Sequence, residues 1–221
     1  MVSDDVVTRL ARLVLVPVIE IPAAALAIPL ADALSEGGLP VIEITFRTPE
    51  AAAAIEAIAR ERPDMEVGAG TVLTFEQVDR ALDAGARFLV SPGFNPQVVA
   101  YAQSRKAFML PGIVTPTEIE MAMFQGIKVV KFFPAEAAGG ARYLQALAAP
   151  YRSMSFIPTG GIDADKLEAY LAVTQVLAVG GSWMAPRDLI ANGEFEAITQ
   201  RTQEAVALAT RLRPAGAVQV A

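Results

Sequence analysis

The chain has 221 residues, of which 53% are apolar and 19% are charged, a composition that suits one large folded domain and excludes a disordered polypeptide. Its net charge of -6 argues against a nucleic-acid partner. Because it contains no histidine and no cysteine, disulfides, thiol nucleophiles and the usual transition-metal ligands are excluded, and a cytoplasmic location is expected. Any chemistry must therefore depend on Lys, Arg, Asp, Glu, Ser, Thr and backbone amides.

The N-terminal region contains the longest apolar stretch, from Val14 to Ala31. Glu20 and three prolines interrupt it, which favours a buried strand followed by a helix over a membrane span. Pro29 is expected to kink or split that helix. Ahead of this stretch, the acidic residues 1–5 predict no signal peptide, and residues 3–12 predict an extra helix that covers one end of the fold.

Short apolar runs alternate with longer helical patterns along the rest of the chain. The strand-like runs are Val14–Ile19, Val41–Thr45, Glu66–Gly70, Phe88–Ser91, Phe108–Pro111, Val129–Phe132, Ser155–Pro158 and Val176–Val179. The helical patterns are Pro22–Ser35, Pro49–Arg60, Phe75–Ala84, Pro96–Ser104, Pro116–Phe124, Glu136–Ala148, Ala164–Leu171 and Glu194–Arg213. Eight evenly spaced runs, each buried on both faces, favour a closed (β/α)8 TIM barrel over an open doubly wound sheet. We expect one domain over residues 1–213 and a flexible tail at 214–221.

Lys131 interrupts the run Val129–Pro134, which otherwise has the pattern of a fully buried strand. Lysine is almost never buried without a reason, and burial disfavours its ammonium form. A neutral amine is a nucleophile towards carbonyl carbon, as in Schiff-base lysines. Strand alternation puts Lys131 and Phe133 on one face. The alternative is that Lys131 points outward, where its ammonium pairs with a carboxylate or extends to solvent.

Glu43 is a second charge inside an apolar run, Val41–Thr45. Alternation places Glu43 and Thr45 on the same face of the strand. A carboxylate in such surroundings suits a general acid and base. The alternative is an ion pair with Lys131 that only balances two buried charges, although such a pair is also a catalytic dyad.

Several unusual residues follow the predicted strands, at the end where barrel enzymes carry their active sites. Arg47 suits bidentate capture of a carboxylate or phosphate, and Thr71 follows a glycine-rich turn. Alternatively, Arg47 is a surface residue and the turn before Thr71 is only a tight connection. The turns Thr159–Gly161 and Gly180–Ser182 follow the last two runs, where barrels often bind phosphate through backbone amides, unless both are simply flexible turns.

Together these segments resemble the 2-keto-3-deoxy-6-phosphogluconate aldolase family, class I aldolases that often also act on 4-hydroxy-2-oxoglutarate. The specific strings are KFFPAE at 131–136 and PTGGI at 158–162. The other resembling segments are Val41–Thr48, Val67–Leu73, Ser91–Gly93, Leu110–Gly112 and Gly180–Trp183. They occur in family order over almost the whole chain.

The resemblance implies a (β/α)8 barrel, usually a homotrimer, that needs no metal or organic cofactor. It implies that Lys131 forms the Schiff base, that Glu43 is the acid and base, and that pyruvate and a phosphorylated aldehyde are the small-molecule partners. Arg47 and Thr71 correspond to the residues that bind the pyruvate carboxylate, and the phosphate site falls on the two glycine turns. The expected substrate-binding residues are Arg47, Thr71, Pro92, Phe133, Thr159, Gly160, Gly161, Gly181 and Ser182.

Three alternatives are also compatible with the sequence. A related aldolase would differ in stereochemistry at C4, as in a 6-phosphogalactonate type, or would use an unphosphorylated 2-keto acid. A sugar-phosphate isomerase or epimerase would use the same phosphate turns without covalent chemistry. A barrel that only binds phosphorylated ligands, or an oligomeric scaffold, would leave the burial of Lys131 and Glu43 as an unexplained cost.

Overall fold

Strands and helices alternate along the backbone in the predicted order. The computed structural model describes residues 2–213, so the predicted tail at 214–221 lies outside the described residues. The strands are β1 (Leu15–Ile19), β2 (Val41–Thr45), β3 (Glu66–Gly70), β4 (Phe88–Val90), β5 (Phe108–Leu110), β6 (Gly112–Ile113), β7 (Val129–Phe132), β8 (Ser155–Pro158) and β9 (Val179–Gly181). The helices are α1 (Val2–Leu13), α2 (Ala27–Glu36), α3 (Ala51–Glu61), α4 (Phe75–Asp83), α5 (Pro96–Ser104), α6 (Pro116–Phe124), α7 (Gly140–Ala148), α8 (Leu167–Leu171), α9 (Arg187–Asn192) and α10 (Phe195–Leu212).

Side-chain caps determine where three of the helices begin. Thr115 and Glu118 form a complete capping box at the start of α6: the Glu118 carboxylate accepts from the Thr115 N–H at 2.8 Å, and the Thr115 hydroxyl accepts from the Glu118 N–H. The Thr74 hydroxyl caps α4 and the Asn95 amide oxygen caps α5. Each cap stands at the end of the loop that connects the preceding strand to the helix, and so helps to position that loop.

All strand pairs are parallel and form two ladders. One sheet has the order β5-β4-β3-β2-β1-β9, and the other has the order β6-β7-β8. Pro111 alone separates β5 from β6. Proline has no N–H to donate to a ladder, so the strand is interrupted there. The Pro111 carbonyl still accepts from the Lys131 N–H at 2.9 Å. The architecture is therefore α/β in one domain, with the carboxyl ends of neighbouring strands at one edge.

The opposite edge is covered by α1, the predicted extra helix. Leu10 is fully buried, and Arg9 forms an ion pair at 3.0 Å with Glu66, the first residue of β3. The Arg9 guanidinium also donates to the Asp64 carbonyl at 2.7 Å. Since these partners stand at the amino ends of the strands, α1 closes that end and leaves the carboxyl end open.

Two sequence predictions were wrong about element boundaries near the carboxyl ends. The last strand is Val179–Gly181 and not Val176–Val179, since the glycine backbone pairs with β1 while Val176 makes a single bridge to Phe156. The helix predicted from Glu136 begins only at Gly140. Gly139 and Gly140 have φ values of 117° and 68°, a left-handed backbone that interrupts a right-handed helix.

The apolar stretch from Val14 to Ala31 contains β1, a 3-10 turn at Ala24–Leu26 and the start of α2. The sequence predicts a break in the helix at Pro29, but α2 begins at Ala27 and continues through it. Pro29 therefore lies in the first turn of α2, where a missing N–H removes no helical hydrogen bond. Within residues 2–213, no helix is long and apolar enough to cross a membrane.

Candidate active site

Lys131 and Glu43 face each other in the interior. Lys131 on β7 is 7% exposed and Glu43 on β2 is 4% exposed, and the Lys131 Nζ lies 3.2 Å from the Glu43 Oε1. Both line a small inner cavity together with apolar side chains: Leu10, Val16, Phe88, Val90, Leu110 and Ile157. Lys131 therefore points inward, beside a carboxylate, and not outward between strands and helices.

Glycine makes room for the carboxylate of this pair. A Cβ atom at Gly70 would overlap the Glu43 Oε1, so only glycine at the end of β3 is compatible with this position of Glu43. Glycine at this position is thus required by the buried Glu43 side chain itself. The Lys131 Nζ also lies 5.4 Å from the centre of the Phe133 ring, within cation–π range.

A cleft of about 370 Å³, the main cleft, opens at the carboxyl ends of the strands. It contains seven of the predicted site residues: Arg47, Phe133, Thr159, Gly160, Gly161, Gly181 and Ser182. The residues that sequence reasoning did not include are Val18, Glu20, Thr45, Ile162, Trp183, Ala185, Arg187 and Ile190. Thr159 lines both the main cleft and the inner cavity, and so connects the cleft to the buried pair.

Arg47 and Thr71 are brought together, although Thr71 does not line the main cleft. The Arg47 Nε donates to the Thr71 Oγ1 at 3.3 Å. Thr71 has a φ of 59°, which is rare for a β-branched residue and costs backbone strain. Such strain persists where the surrounding structure fixes it, and it often marks functional sites.

Pro92 is separate from the other predicted residues. It lines a second, open depression together with Val72, Leu73, Ser91, Gly93, Phe94, Asn95 and Val98. Its carbonyl nevertheless occupies the space that a Cβ atom at Gly112 would need, and Gly112 pairs with Lys131 across β6 and β7. Pro92 thus contacts the strand beside the one that carries the amine.

The turn at Gly160 and Gly161 is held by its carbonyl groups. The Thr159 carbonyl accepts from the Ala135 N–H at 2.9 Å, and the Gly160 carbonyl accepts from the Glu136 N–H at 3.0 Å. The Lys166 Nζ donates to the Gly161 carbonyl at 3.0 Å. Both glycines have φ values in the left-handed region, 110° and 77°, which other residues rarely adopt.

A cluster of polar side chains lies behind this turn. The Tyr170 hydroxyl donates to the Glu136 Oε1 at 2.5 Å, and burial together with this carboxylate raises the pKa of Tyr170. The Lys166 Nζ lies 2.7 Å from the Asp163 Oδ2, and this hydrogen bond holds the pKa of Asp163 below its usual value. Glu136, expected to be the first residue of a helix, instead belongs to this cluster.

Glu20 and Arg187 form an ion pair at the main cleft, with the Arg187 Nη1 3.0 Å from the Glu20 Oε1. Glu20 follows β1 directly, so the rule that selected Arg47 after β2 could have selected it. Arg187 begins α9, a six-residue helix that the periodicity does not predict. Within the described part of the chain, no group of three or more His, Cys, Asp or Glu side chains could hold a metal ion.

In chemical terms, the site presents a buried amine beside a carboxylate, next to a cleft that carries charged and polar side chains among apolar ones. The amine can add to a carbonyl group, and the carboxylate can exchange protons with the adduct. The glycine turns supply backbone groups suited to an anion at one side of the cleft, and Arg47 supplies a guanidinium at another.

Comparison with known proteins gives a consistent result. The family model described as KDPG and KHG aldolase matches residues 6–201. A 2-dehydro-3-deoxy-phosphogluconate aldolase of Treponema pallidum is 50% identical over 195 residues, covering 88% of this chain and 93% of the relative. The KHG/KDPG aldolase of Escherichia coli K12 is 44% identical over 191 residues, 86% of this chain and 90% of the relative. The crystal structure of a KDPG aldolase from Legionella pneumophila, with pyruvate captured as a covalent carbinolamine, superposes with a TM-score of 0.87 at 38% identity, covering 90% and 97% of the two chains.

Proposed function

The chain belongs to the KDPG and KHG aldolase family, and from this premise we propose that it reversibly cleaves 2-keto-3-deoxy-6-phosphogluconate to pyruvate and glyceraldehyde 3-phosphate. The same chemistry extends to 4-hydroxy-2-oxoglutarate, which yields pyruvate and glyoxylate. The observation that carries the proposal is the buried pair of Lys131 and Glu43, whose Nζ and Oε1 atoms lie 3.2 Å apart beside the main cleft. This class I mechanism uses neither a metal nor an organic cofactor.

The first steps build an electron sink on Lys131. Its amine, after Glu43 takes up its extra proton, adds to the C2 ketone of the substrate and forms a carbinolamine. Glu43 returns this proton to the carbinolamine hydroxyl, which leaves as water and gives an iminium ion in which C2 is doubly bonded to the lysine nitrogen. The pair is already within hydrogen-bond distance, which supports a direct proton transfer between the two residues.

The cleavage step uses the same carboxylate. Glu43, directly or through a water molecule, takes the proton from the C4 hydroxyl as the C3–C4 bond breaks and its electrons move into the iminium. Glyceraldehyde 3-phosphate leaves, and Glu43 returns the proton to C3 of the enamine. Hydrolysis of the pyruvate iminium then frees pyruvate and Lys131. One carboxylate suffices because its two protonation states are used in alternate steps.

The substrate lies along the main cleft in this proposal. Arg47 binds the carboxylate, and Thr71, which accepts from its guanidinium, holds it in place. The phosphate binds at Gly160 and Gly161, in the turn held by its carbonyls, and at Gly181 and Ser182. Phe133 and Thr159 line the cleft between these ends. Pro92 is the last of the proposed substrate-binding residues. Its carbonyl contacts Gly112 on β6, the strand beside the one that carries Lys131.

We further propose that the two ladders close into the (β/α)8 barrel. Parallel bridges from Phe156 to Val176 and from Thr159 to Gly180 connect β8 to the segment of β9, and only Pro111 interrupts the chain between β5 and β6. These links support one continuous ring of strands around Lys131 and Glu43.

Assembly as a homotrimer and a cytoplasmic location are also part of the proposal. The resemblance to trimeric aldolases supports the assembly. So does a cluster of large apolar side chains exposed near the end of α6, Met121, Met123 and Phe124, of which Phe124 is 94% exposed. Sedimentation of the purified chain tests the assembly, and a monomer at micromolar concentration would contradict it.

The decisive experiment is reduction with borohydride in the presence of pyruvate, followed by intact mass and peptide mapping. We expect a pyruvate-derived adduct on Lys131. A folded protein that gives no adduct at saturating pyruvate would overturn the covalent mechanism and favour a sugar-phosphate isomerase. Exchange of the pyruvate methyl protons with solvent, which an aldolase enamine requires, separates these two reactions independently.

A further inference from the structure

Arg187 is a cation of the main cleft that has no role in the proposed reaction. Among the residues that the structure describes, three charged side chains line this cleft: Glu20, Arg47 and Arg187. Arg47 is hydrogen-bonded to Thr71 and is proposed to bind the carboxylate. The proposed substrate carries a second anion, the phosphate, and a guanidinium is well suited to binding phosphate oxygens.

The order of strands puts Arg187 on the phosphate side. Glu20 follows β1 and Arg187 follows β9 after a five-residue loop, while Arg47 follows β2. In the sheet, β1 lies between β9 and β2, so the ends of β9 and β2 are about 10 Å apart at the usual strand spacing. Arg187 is therefore on the side of Gly181, the last residue of β9, and Arg47 is on the other side of Glu20.

The ion pair with Glu20 is one that a stronger anion can replace. The Arg187 side chain is 64% exposed and the Glu20 side chain 31% exposed, at a separation of 3.0 Å. Exposed ion pairs of this kind contribute little, because water already solvates both charges. A phosphate carries more negative charge than a carboxylate and offers three acceptor oxygens.

We propose that Arg187 determines specificity for phosphorylated substrates by binding their phosphate, and that Glu20 is its counter-ion, exchanged for the phosphate on binding. The inference rests on the proposed aldolase function. Glu20 then weakens phosphate binding in two ways, since it occupies Arg187 and repels the incoming anion. The two residues are therefore expected to have opposite effects on the KM of a phosphorylated substrate.

The test compares Arg187→Met, Glu20→Gln and the double variant with the intact chain, in cleavage of 2-keto-3-deoxy-6-phosphogluconate and of 4-hydroxy-2-oxoglutarate at one ionic strength. Arg187→Met should raise the KM of the phosphorylated substrate roughly five- to tenfold, with kcat and the KM of the unphosphorylated substrate little changed. Glu20→Gln should lower the former KM about twofold, and this gain should be lost in the double variant. Inorganic phosphate, used as a competitive inhibitor, should bind more weakly to Arg187→Met.

Arg152→Met is the matched control, because Arg152 is exposed, does not line the main cleft and changes the net charge equally. An unchanged KM in Arg187→Met, an equal rise for both substrates, or the same rise in Arg152→Met would overturn the role of Arg187. The borohydride adduct on Lys131 is measured in parallel. Its absence in the intact chain would overturn the proposed function, and with it this inference, whereas its presence together with a negative result at Arg187 would overturn the inference alone.

Discussion

The two ion pairs at this site have nearly the same length and opposite surroundings. Lys131 and Glu43 are 3.2 Å apart and almost fully buried, whereas Arg187 and Glu20 are 3.0 Å apart and in contact with solvent. Removing one partner of a buried pair typically costs about 3–5 kcal/mol, while an exposed pair contributes about 0–1 kcal/mol. Burial, and not distance, therefore separates a pair suited to chemistry from a pair suited to exchange with a ligand.

The largest effect is expected from Lys131→Ala, which removes the amine of the buried pair. Turnover should fall to background, because the electron sink for cleavage of the C3–C4 bond is lost. A coupled assay for pyruvate measures this, with circular dichroism as the check on folding. Lys128→Ala is the control, since Lys128 is exposed one residue before the same strand and should keep full activity. Substantial turnover in folded Lys131→Ala would rule out the Schiff base.

Glu43→Gln changes the other partner and keeps its shape. We expect kcat to fall by about 10²–10⁴-fold, the usual contribution of a positioned acid and base. Borohydride should still trap pyruvate on Lys131, although more slowly, because water must then take the proton of the amine. Separate effects on turnover and on trapping would show that the buried pair has two distinct roles. If Glu43→Gln retained near-normal turnover, the carboxylate would be only a counter-ion.

Gly70→Ala tests whether the position of the buried carboxylate matters. An added Cβ would overlap the Glu43 Oε1, so we expect a lower kcat and a loss of about 1–3 kcal/mol in the free energy of unfolding, as for other overpacked cores. Gly93→Ala is the matched control, because nothing lies within 4 Å of the Cβ that it would add. Urea unfolding and steady-state kinetics measure both quantities, and equal behaviour of the two variants would contradict the prediction.

The buried pair could be predicted from the sequence because each residue is a local exception. A charge inside a run of apolar residues is visible at a single position, and period-two alternation puts Lys131 with Phe133 and Glu43 with Thr45 on the correct faces. The exposed pair could not be predicted in this way. Glu20 and Arg187 meet only because β9 pairs with β1, a contact across most of the chain that no local pattern encodes.

Element boundaries show the same division. Runs of β-branched and aromatic residues located β2 and β7 to the residue, because their side chains are buried on both faces. The glycines of β9 carry no such signal, so the sequence pattern predicts the strand in the apolar residues before them, Val176–Val179. At Gly139 and Gly140 the backbone conformation, and not hydrophobic periodicity, delays the start of α7.

The smallest effect is expected from a third pair, Asp163 and Lys166, which is the shortest of the three at 2.7 Å and also in contact with solvent. Lys166 holds the pKa of Asp163 below its ordinary value of 3.8. A carboxyl group whose pKa is lowered by folding stabilises the fold when the pH is above its ordinary pKa. This stabilisation is lost as the pH falls through the lowered pKa. Asp163→Asn should therefore be slightly less stable than the intact chain at pH 7, and the difference should shrink and disappear as the pH falls from the ordinary value through the lowered pKa of Asp163. Urea unfolding at a series of pH values measures it. If the difference matched that of Gly70→Ala, or did not depend on pH, the ranking by burial that separates the other two pairs would not hold.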